Sequence, residues 1–217
     1  MASSPWLLLQ LADGTFPSGG FAHSSGLEAS MHLGGLDAVE GFFDDAIVQA
    51  GSAALPFVRE ACADPGRLGA LDVAFDATVP LAVPNRSSRA LGRSLASATA
   101  RIFETDAVRA IAEHCRTGPA HHAPVFGALF GALGLAADDA TTAYLHGAAR
   151  AVLSAAVRLG LCGPLEAQRL HASRAEAFDA TLARSRTLGL EDVAVTAPLT
   201  ELWGALHDRL DARLFQS

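Results

Sequence analysis

The stretch Ala140–Leu161, "ATTAYLHGAARAVLSAAVRLGL", decides the fold class, because its apolar residues recur at three-to-four-residue spacing. Asp138 or Asp139 is suited to cap the start of a helix here, and Gly163-Pro164 is suited to end it. The stretch therefore predicts a long helix with one apolar stripe, formed by Tyr144, Leu145, Ala148, Val152, Ala155, Ala156 and Leu159.

The same spacing governs most of the other apolar segments, and the alternation typical of a half-buried strand is nearly absent. Other helices are predicted near residues 25–33, 37–62, 66–81, 88–116, 123–135 and 164–183. A last helix follows Pro198, with one buried face formed by Leu199, Leu202, Trp203, Leu206, Leu210 and Leu214. We expect an all-α fold: a single-domain helical bundle of roughly seven to ten helices over residues 1–217. Within it, residues 1–5 form a flexible N-terminus and residues 213–217 form a C-terminal tail.

Composition excludes several classes of partner and compartment. The chain has 217 residues, half of them hydrophobic, and a formal net charge of −7, so it offers no basic surface for nucleic acid or an anionic membrane. No apolar run reaches the ~20 residues that span a bilayer, and no basic leader precedes the first apolar run. The three widely spaced cysteines argue against disulfides and a thiolate zinc site. These features predict a cytoplasmic protein.

Lysine is absent from the sequence, and all sixteen basic residues are arginine. A P-loop, a Schiff-base enzyme and a Ser-Lys dyad each need a lysine, so these three classes of site are excluded.

The stretch Asp13–Glu28, "DGTFPSGGFAHSSGLE", concentrates glycine, hydroxyl residues and a histidine after an apolar run. It has neither the G-x-S-x-G pattern of a hydrolase nucleophile nor the Walker spacing of a phosphate loop. Two interpretations stay open. Pro17 and Gly19-Gly20 form a tight turn ahead of a helix that starts near Ser24, or Pro17–Ser25 is an anion site of a small helical enzyme or regulator.

Arginines and histidines give weaker indications of function. Arg86, Arg89 and Arg93 fall on one face of a helix, where they form a solvated basic face or salt bridges to carboxylates of neighbouring helices. The eight histidines show no ligand spacing, and adjacent His121 and His122 cannot both face one point on a helix. We therefore expect no metal site of the chain's own.

The segment "LLLQLADGTFPSGGFAHSSGLE" (7–28) resembles the amino-terminal signature of the urease accessory protein F (UreF) family. The matching residues are Leu8, Leu9, Leu11, Phe16, Pro17, Gly19, Gly20, Phe21, Ser24, Gly26, Leu27 and Glu28. The likeness continues in four further blocks in the same order, at residues 85–95, 121–135, 143–160 and 213–217. Residues 163–195 fit least, and Leu206-His207-Asp208 departs from the Arg-His-Glu expected there.

This resemblance implies a non-catalytic, dimer-forming scaffold without a cofactor. It would bridge the accessory protein UreD (UreH in some systems) and the GTPase UreG, and so support GTP-dependent nickel delivery to apo-urease. With a GTPase as partner, Arg86 or Arg89 would be candidates for an arginine finger. Because imidazole suits nickel as a ligand, an independent nickel chaperone remains an alternative. The tail would order against UreD, with Arg213, Leu214 and Phe215 as contacts. The candidate partner-binding residues are Phe16, Pro17, Gly19, Gly20, Phe21, His23, Ser24, Glu28, Arg86, Arg89, Arg213, Leu214 and Phe215.

Overall fold

The long helix predicted at Ala140–Leu161 is present as Ala137–Arg158, in a computed structural model that describes residues 4–217. Asp138 and Asp139 do not cap it: the N-cap is Ala136, and both carboxylates lie in the first turn, where they favour the helix dipole. Gly160, at a φ of 73°, ends the helix, and the amide of Leu161 donates to the Ala156 carbonyl.

The described residues contain helices and turns but no strand, so the all-α prediction is confirmed. The α-helices are α1 Pro5–Ala12, α2 Leu27–His32, α3 Val39–Gln49, α4 Leu55–Ala63, α5 Leu68–Thr78, α6 Ala82–Ile102, α7 Asp106–Thr117, α8 His122–Ala132, α9 Ala137–Arg158, α10 Pro164–Ser173, α11 Ala175–Ser185 and α12 Pro198–Leu206. A π-helical segment, Ala50–Ala54, makes α3 and α4 continuous. Counted as one helix, they bring the described total to eleven, slightly above the predicted range.

Helix α8 lies at the centre of the bundle, because its residues are apolar on every side and a helix of that kind must be covered all round. Each residue from Ala123 to Phe130 is buried. Helices α4, α6 and α9 pack around it. Phe126 stacks on Phe130 at 4.2 Å between ring centroids and meets Tyr144 of α9 edge-on at 5.2 Å.

Two glycines let α4 approach α8 closely. A methyl group at Gly127 would overlap the carbonyl oxygen of Val58, and one at Gly131 would overlap the carbonyl oxygen of Cys62. Backbone therefore packs directly on backbone at this crossing.

Some helix boundaries differ from the prediction. The helix predicted over 88–116 is two helices, because Thr105 caps α7 by accepting a hydrogen bond from the Val108 amide. The helix predicted over 164–183 is also divided, at Arg174. A further helix, α1, was not expected, and it leaves Trp6 and Leu9 exposed.

The last helix is shorter than predicted and does not bury the expected face. It ends at Leu206, a 3-10 turn follows at His207–Arg209, and residues 210–217 form neither helix nor strand. Leu199 is 65% exposed and Leu202 is 46% exposed. The predicted helix does not continue to Leu214, because the amides of Leu214, Phe215 and Gln216 bond to other segments of the chain.

The predicted flexible N-terminus covers residues 1–5. Residues 1–3 lie outside the described residues, whereas Ser4 is the N-cap of α1 and Pro5 is its first residue.

No helix in the described part of the chain is long and apolar enough to cross a membrane.

A matched pair of glycine substitutions tests the close α4–α8 crossing. Gly127→Ala should lower the free energy of unfolding by about 2–3 kcal/mol, because the new methyl overpacks against fixed backbone. Gly147→Ala, in the middle of α9 with open space around it, should raise that free energy by about 0.5–1 kcal/mol. Urea unfolding of both variants checks this, and equal effects would contradict the account of the crossing.

Candidate functional site

The segment 13–28, hereafter the signature segment, folds as a series of tight turns between α1 and α2. The Asp13 carboxylate accepts hydrogen bonds from the amide and hydroxyl of Thr15, which forms the first turn. Phe16 is then buried in the core, and the Pro17 carbonyl accepts a hydrogen bond from Ser94 of α6. Gly19 has a φ of 83°, which a residue with a side chain rarely adopts. Pro17 and Gly19-Gly20 therefore form the turn that the sequence predicted.

Gly26 sets how the signature segment meets α12. Its φ is 91°, and a methyl group there would lie 2.7 Å from the amide nitrogen of Gly204. Only glycine satisfies both conditions, so α12 can lie directly on the segment.

The C-terminal tail, residues 213–217, pairs with the signature segment over a sequence separation of more than 190 residues. The amide of Gln216 donates to the Ala22 carbonyl at 2.8 Å, and both the amide and the hydroxyl of Ser24 donate to the Ser217 carbonyl at 2.6 and 3.0 Å. His23 Nδ1 lies 2.6 Å from the Ser217 hydroxyl. These hydrogen bonds therefore fix the C-terminal tail to the signature segment.

Glu28 is the centre of this structure. Its side chain is buried, and its carboxylate accepts hydrogen bonds from the amides of Leu214 at 2.6 Å and Phe215 at 3.2 Å and from His207 Nε2 at 2.9 Å. Burial opposes ionisation, but the amide of Leu214 and the His207 ring outweigh it, so the pKa of Glu28 lies below its ordinary value of 4.5. The ionised carboxylate thus stabilises the fold above pH 4.5, and this contribution is lost as the pH falls through the lowered pKa.

Arg158, the last residue of α9, contacts both the signature segment and the tail. Its guanidinium lies 3.9 Å from the ring centroid of Phe21 and 4.2 Å from that of Phe215, and it donates to the Phe21 carbonyl. A cation placed between two aromatic rings is attracted by both, which fixes their separation. Phe215 is buried, whereas Phe21 is 67% exposed and Leu214 is 53% exposed.

The candidate arginines divide between two places. Arg86 donates to Asp208 at 3.0 Å, and Arg213 donates to the same carboxylate at 3.0 Å, so α6 is tied to the base of the tail. Arg89 instead donates to the Pro119 carbonyl, and Arg93 to the Gly118 carbonyl. Arg89 therefore bonds away from the signature segment and the tail, whereas Arg86 shares Asp208 with Arg213 of the tail.

A cavity of about 340 Å³ lies behind the paired segments. Phe21, His23, Phe215 and Ser217 form part of its wall, together with residues of α6 and α9 and the π-helical segment. His122 also lines it, and burial, followed by the neighbouring His23, lowers the pKa of this imidazole to about 4. His122 is therefore neutral near pH 7.

The adjacent histidines take separate roles, as their sequence predicted. His121 is buried and bonds to Asp76 and Ser88, whereas His122 packs against Tyr144. In residues 4–217, no three His, Cys, Asp or Glu side chains are placed to hold a metal ion. Cys62, Cys115 and Cys162 are free thiols, and burial raises the pKa of Cys115 to about 12.

Sequence reasoning did not select three residues that complete this site: Arg158, His207 and Ser217. A signal was present for His207, because it falls in the one short block that departs from the expected form. Glu28 carried a second signal, since a carboxylate within an apolar helix start needs partners when it is buried. Nothing in the sequence marked Arg158 among the sixteen arginines.

Comparison with known proteins identifies the chain's relatives. The UreF family model matches residues 36–175. The urease accessory protein F of Oryza sativa subsp. indica is 32% identical over 98% of this chain and 85% of its own length. That of Arabidopsis thaliana is 31% identical over 98% of this chain and 92% of its own length. The urease accessory protein UreF of Trichodesmium erythraeum is 25% identical over 96% and 94% of the two lengths.

Substitution of Glu28 tests whether its carboxylate holds the tail. Glu28→Gln keeps the size of the side chain but removes the charge and one acceptor, so we expect a loss of about 3 kcal/mol in the free energy of unfolding. Faster hydrogen exchange at the Leu214 and Phe215 amides should accompany that loss. Glu104→Gln, at an exposed position, is the control and should change neither quantity. Unchanged exchange at both amides in Glu28→Gln would refute the role of Glu28.

Proposed function

The chain belongs to the UreF family of urease accessory proteins, and we propose that it acts as a non-catalytic scaffold in urease maturation. In this proposal it binds UreD (or UreH) and the GTPase UreG together, and the assembly delivers nickel to apo-urease in a step controlled by GTP. Nickel is the cargo of the complex, and the scaffold supplies surfaces instead of a cofactor.

The observation that carries the proposal is the joint between the signature segment and the tail. Its polar groups, from Ser24, His23 and Glu28, bond to the chain itself. Its apolar side chains, Phe21 and Leu214, are exposed beside Arg158. Large apolar side chains held in place around an arginine are typical of the centre of a protein interface. We infer that this joint is the surface that binds UreD.

The same contacts disfavour the rival in which Pro17–Ser25 binds an anion. The amide and hydroxyl of Ser24, which would have been its natural donors, both donate to the Ser217 carbonyl. An anion would have to displace the tail to reach them.

The second rival is an independent nickel chaperone. Equilibrium dialysis of the purified protein with Ni²⁺ tests it, and tight binding of Ni²⁺ by this chain alone would favour it.

A homodimer is the second part of the proposal. Trp6 is 78% exposed and Leu9 60% exposed on α1, while α12 exposes Leu199 and Leu202. Helices that leave this much apolar surface in solvent usually bury it against another subunit. We place the assembly in the cytoplasm, where the three free thiols stay reduced.

Control of the GTPase is the third part. Arg86 is 57% exposed at its side chain and bonds to Asp208, itself 44% exposed, so a partner could take over this arginine. Arg89 is held by the Pro119 carbonyl, which leaves it less free to move. We propose Arg86, ahead of Arg89, as the arginine that UreG meets.

Removal of the exposed apolar side chains tests the UreD surface. In light scattering after size exclusion, the full chain should form one complex with UreD and UreG, and a chain lacking Arg213–Ser217 should release UreD.

Phe21→Ala and Leu214→Ala should each weaken UreD binding at least about tenfold, as hot-spot residues do. Leu165→Ala removes an equally exposed side chain from α10 and should leave binding within about twofold. Full-strength binding by both site variants would refute the surface.

Arginine substitution tests the GTPase role separately. With UreG bound in the complex, Arg86→Ala should change the GTP hydrolysis rate at least about tenfold, whereas Arg109→Ala, an exposed arginine on α7, should not. Hydrolysis at the parent rate in both the Arg86→Ala and Arg89→Ala complexes would end the proposal.

A further inference from the structure

Three histidines from three separate parts of the chain surround the joint. His23 belongs to the signature segment, His122 begins α8, and His207 lies in the 3-10 turn after α12. His23 contacts the tail directly, with Nδ1 at 2.6 Å from the Ser217 hydroxyl. His207 holds Glu28 through Nε2, while its Nδ1 is buried and has no hydrogen-bond partner among residues 4–217.

The charged and titratable groups around His23 come from several elements. Asp13 and Glu201, which line the same cavity, are bonded to Thr15 and Gln49, and Arg150 is a cation in the wall of that cavity. His207 faces His23 from the 3-10 turn and His122 faces it from α8, and both interact with it electrostatically. The Glu28 carboxylate of α2 is already bonded to His207 and to two tail amides. On α9, Arg158 is a further cation beside the tail, and Tyr144 packs against His122.

Burial therefore disfavours the protonated form of His23. Desolvation first, and the neighbouring His207 second, lower the pKa of His23 below its ordinary value of 6.5. A proton on His23 would lie close to other cationic or protonatable groups and away from water. Displacement of the tail would open this site to solvent and relieve that cost.

The tail is also part of the cavity wall. Phe215 and Ser217 line the cavity of about 340 Å³ together with His23 and His122. When residues 213–217 leave, the cavity loses this wall and water reaches both imidazoles. Tail position and histidine protonation are thus coupled by geometry.

We propose that His23, packed among His207, His122 and the tail, makes the joint a proton-operated strap: proton uptake at His23 releases residues 213–217 and opens the cavity behind them. The inference rests on the proposed function, because it makes the UreD-binding surface dependent on pH. The surface is assembled at neutral and alkaline pH and comes apart as the pH falls below 6.5.

The size of the effect follows from linkage. A histidine with the ordinary pKa of 6.5 in the released state takes up a proton almost fully by pH 5.5, whereas the lowered pKa in the docked state delays this uptake to lower pH. The ratio of released to docked tail should therefore rise by up to about tenfold between pH 7.5 and 5.5. In the docked state Glu28 stays ionised over this range, because its pKa lies below 4.5.

Fluorine NMR of the full chain measures this ratio directly. A trifluoromethyl label on Leu214→Cys, in a Cys162→Ser background, reports the tail alone, since Cys62 and Cys115 are buried. We expect docked and released signals whose ratio rises by up to about tenfold from pH 7.5 to 5.5. His23→Asn keeps a donor near the Nδ1 position but cannot take up a proton, so its ratio should change less than about twofold. His32→Gln, at an exposed position on α2, should behave as the parent.

A parent ratio that does not change with pH, or a His23→Asn ratio that still changes tenfold, would overturn the proposal. If His23→Asn leaves the tail released at pH 7.5, His207→Gln decides. Its amide can replace the Nε2 donor to Glu28 while removing a neighbour that lowers the pKa of His23, so the response to pH should shrink. An undiminished response in His207→Gln would refute the strap.

The same samples separate this inference from the proposed function. UreD binding is measured on the unlabelled parent at pH 7.5. A normal response of the tail to pH without any UreD binding would refute the scaffold surface and leave the strap. Normal UreD binding with a tail that ignores pH would refute the strap alone.

Discussion

One buried carboxylate holds the two ends of this fold together. Glu28 lies at the start of α2, and its hydrogen bonds reach Leu214, 186 residues further along the chain. A buried carboxylate is costly unless every oxygen finds a donor, and here two tail amides and one imidazole supply the donors. The tail therefore has a fixed position, whereas short chain ends commonly remain poorly ordered.

The chain has no lysine, and its signature segment has no identified acid–base group. The pairing of the signature segment with the tail nevertheless forms a surface that a partner could bind. The polar side chains of the signature segment bond to the tail and hold it in place. The aromatic and aliphatic side chains that this leaves exposed are Phe21 and Leu214. In the proposed function, specificity comes from shape and from the placement of a few apolar groups around Arg158. The proposed scaffold would be regulated by whatever changes the position of its tail, since both halves of the surface would be needed together.

The sequence predicted the fold class and much of the site, for physical reasons that apply to particular residues. The apolar stripe of α9 repeats over enough turns to leave no other interpretation, and Gly19-Gly20 with Pro17 can hardly avoid a turn. The tail was harder to predict, because Leu210 and Leu214 continue the helical spacing of α12 while tertiary hydrogen bonds to Glu28 pull the backbone out of the helix. Arg158 looked like any arginine on a helix, since its role depends on two rings from distant segments.

The central claim is that Glu28 and the tail act as a single unit, and a double-mutant cycle tests it most directly. The free energy of unfolding in urea is measured for the parent, Glu28→Gln, the chain lacking Arg213–Ser217, and the combination. Because the deletion removes two of the three donors to Glu28, we predict a coupling energy of at least about 1.5 kcal/mol between the two changes. Effects that add to within about 0.5 kcal/mol would show that Glu28 stabilises the fold independently of the tail and would contradict the account.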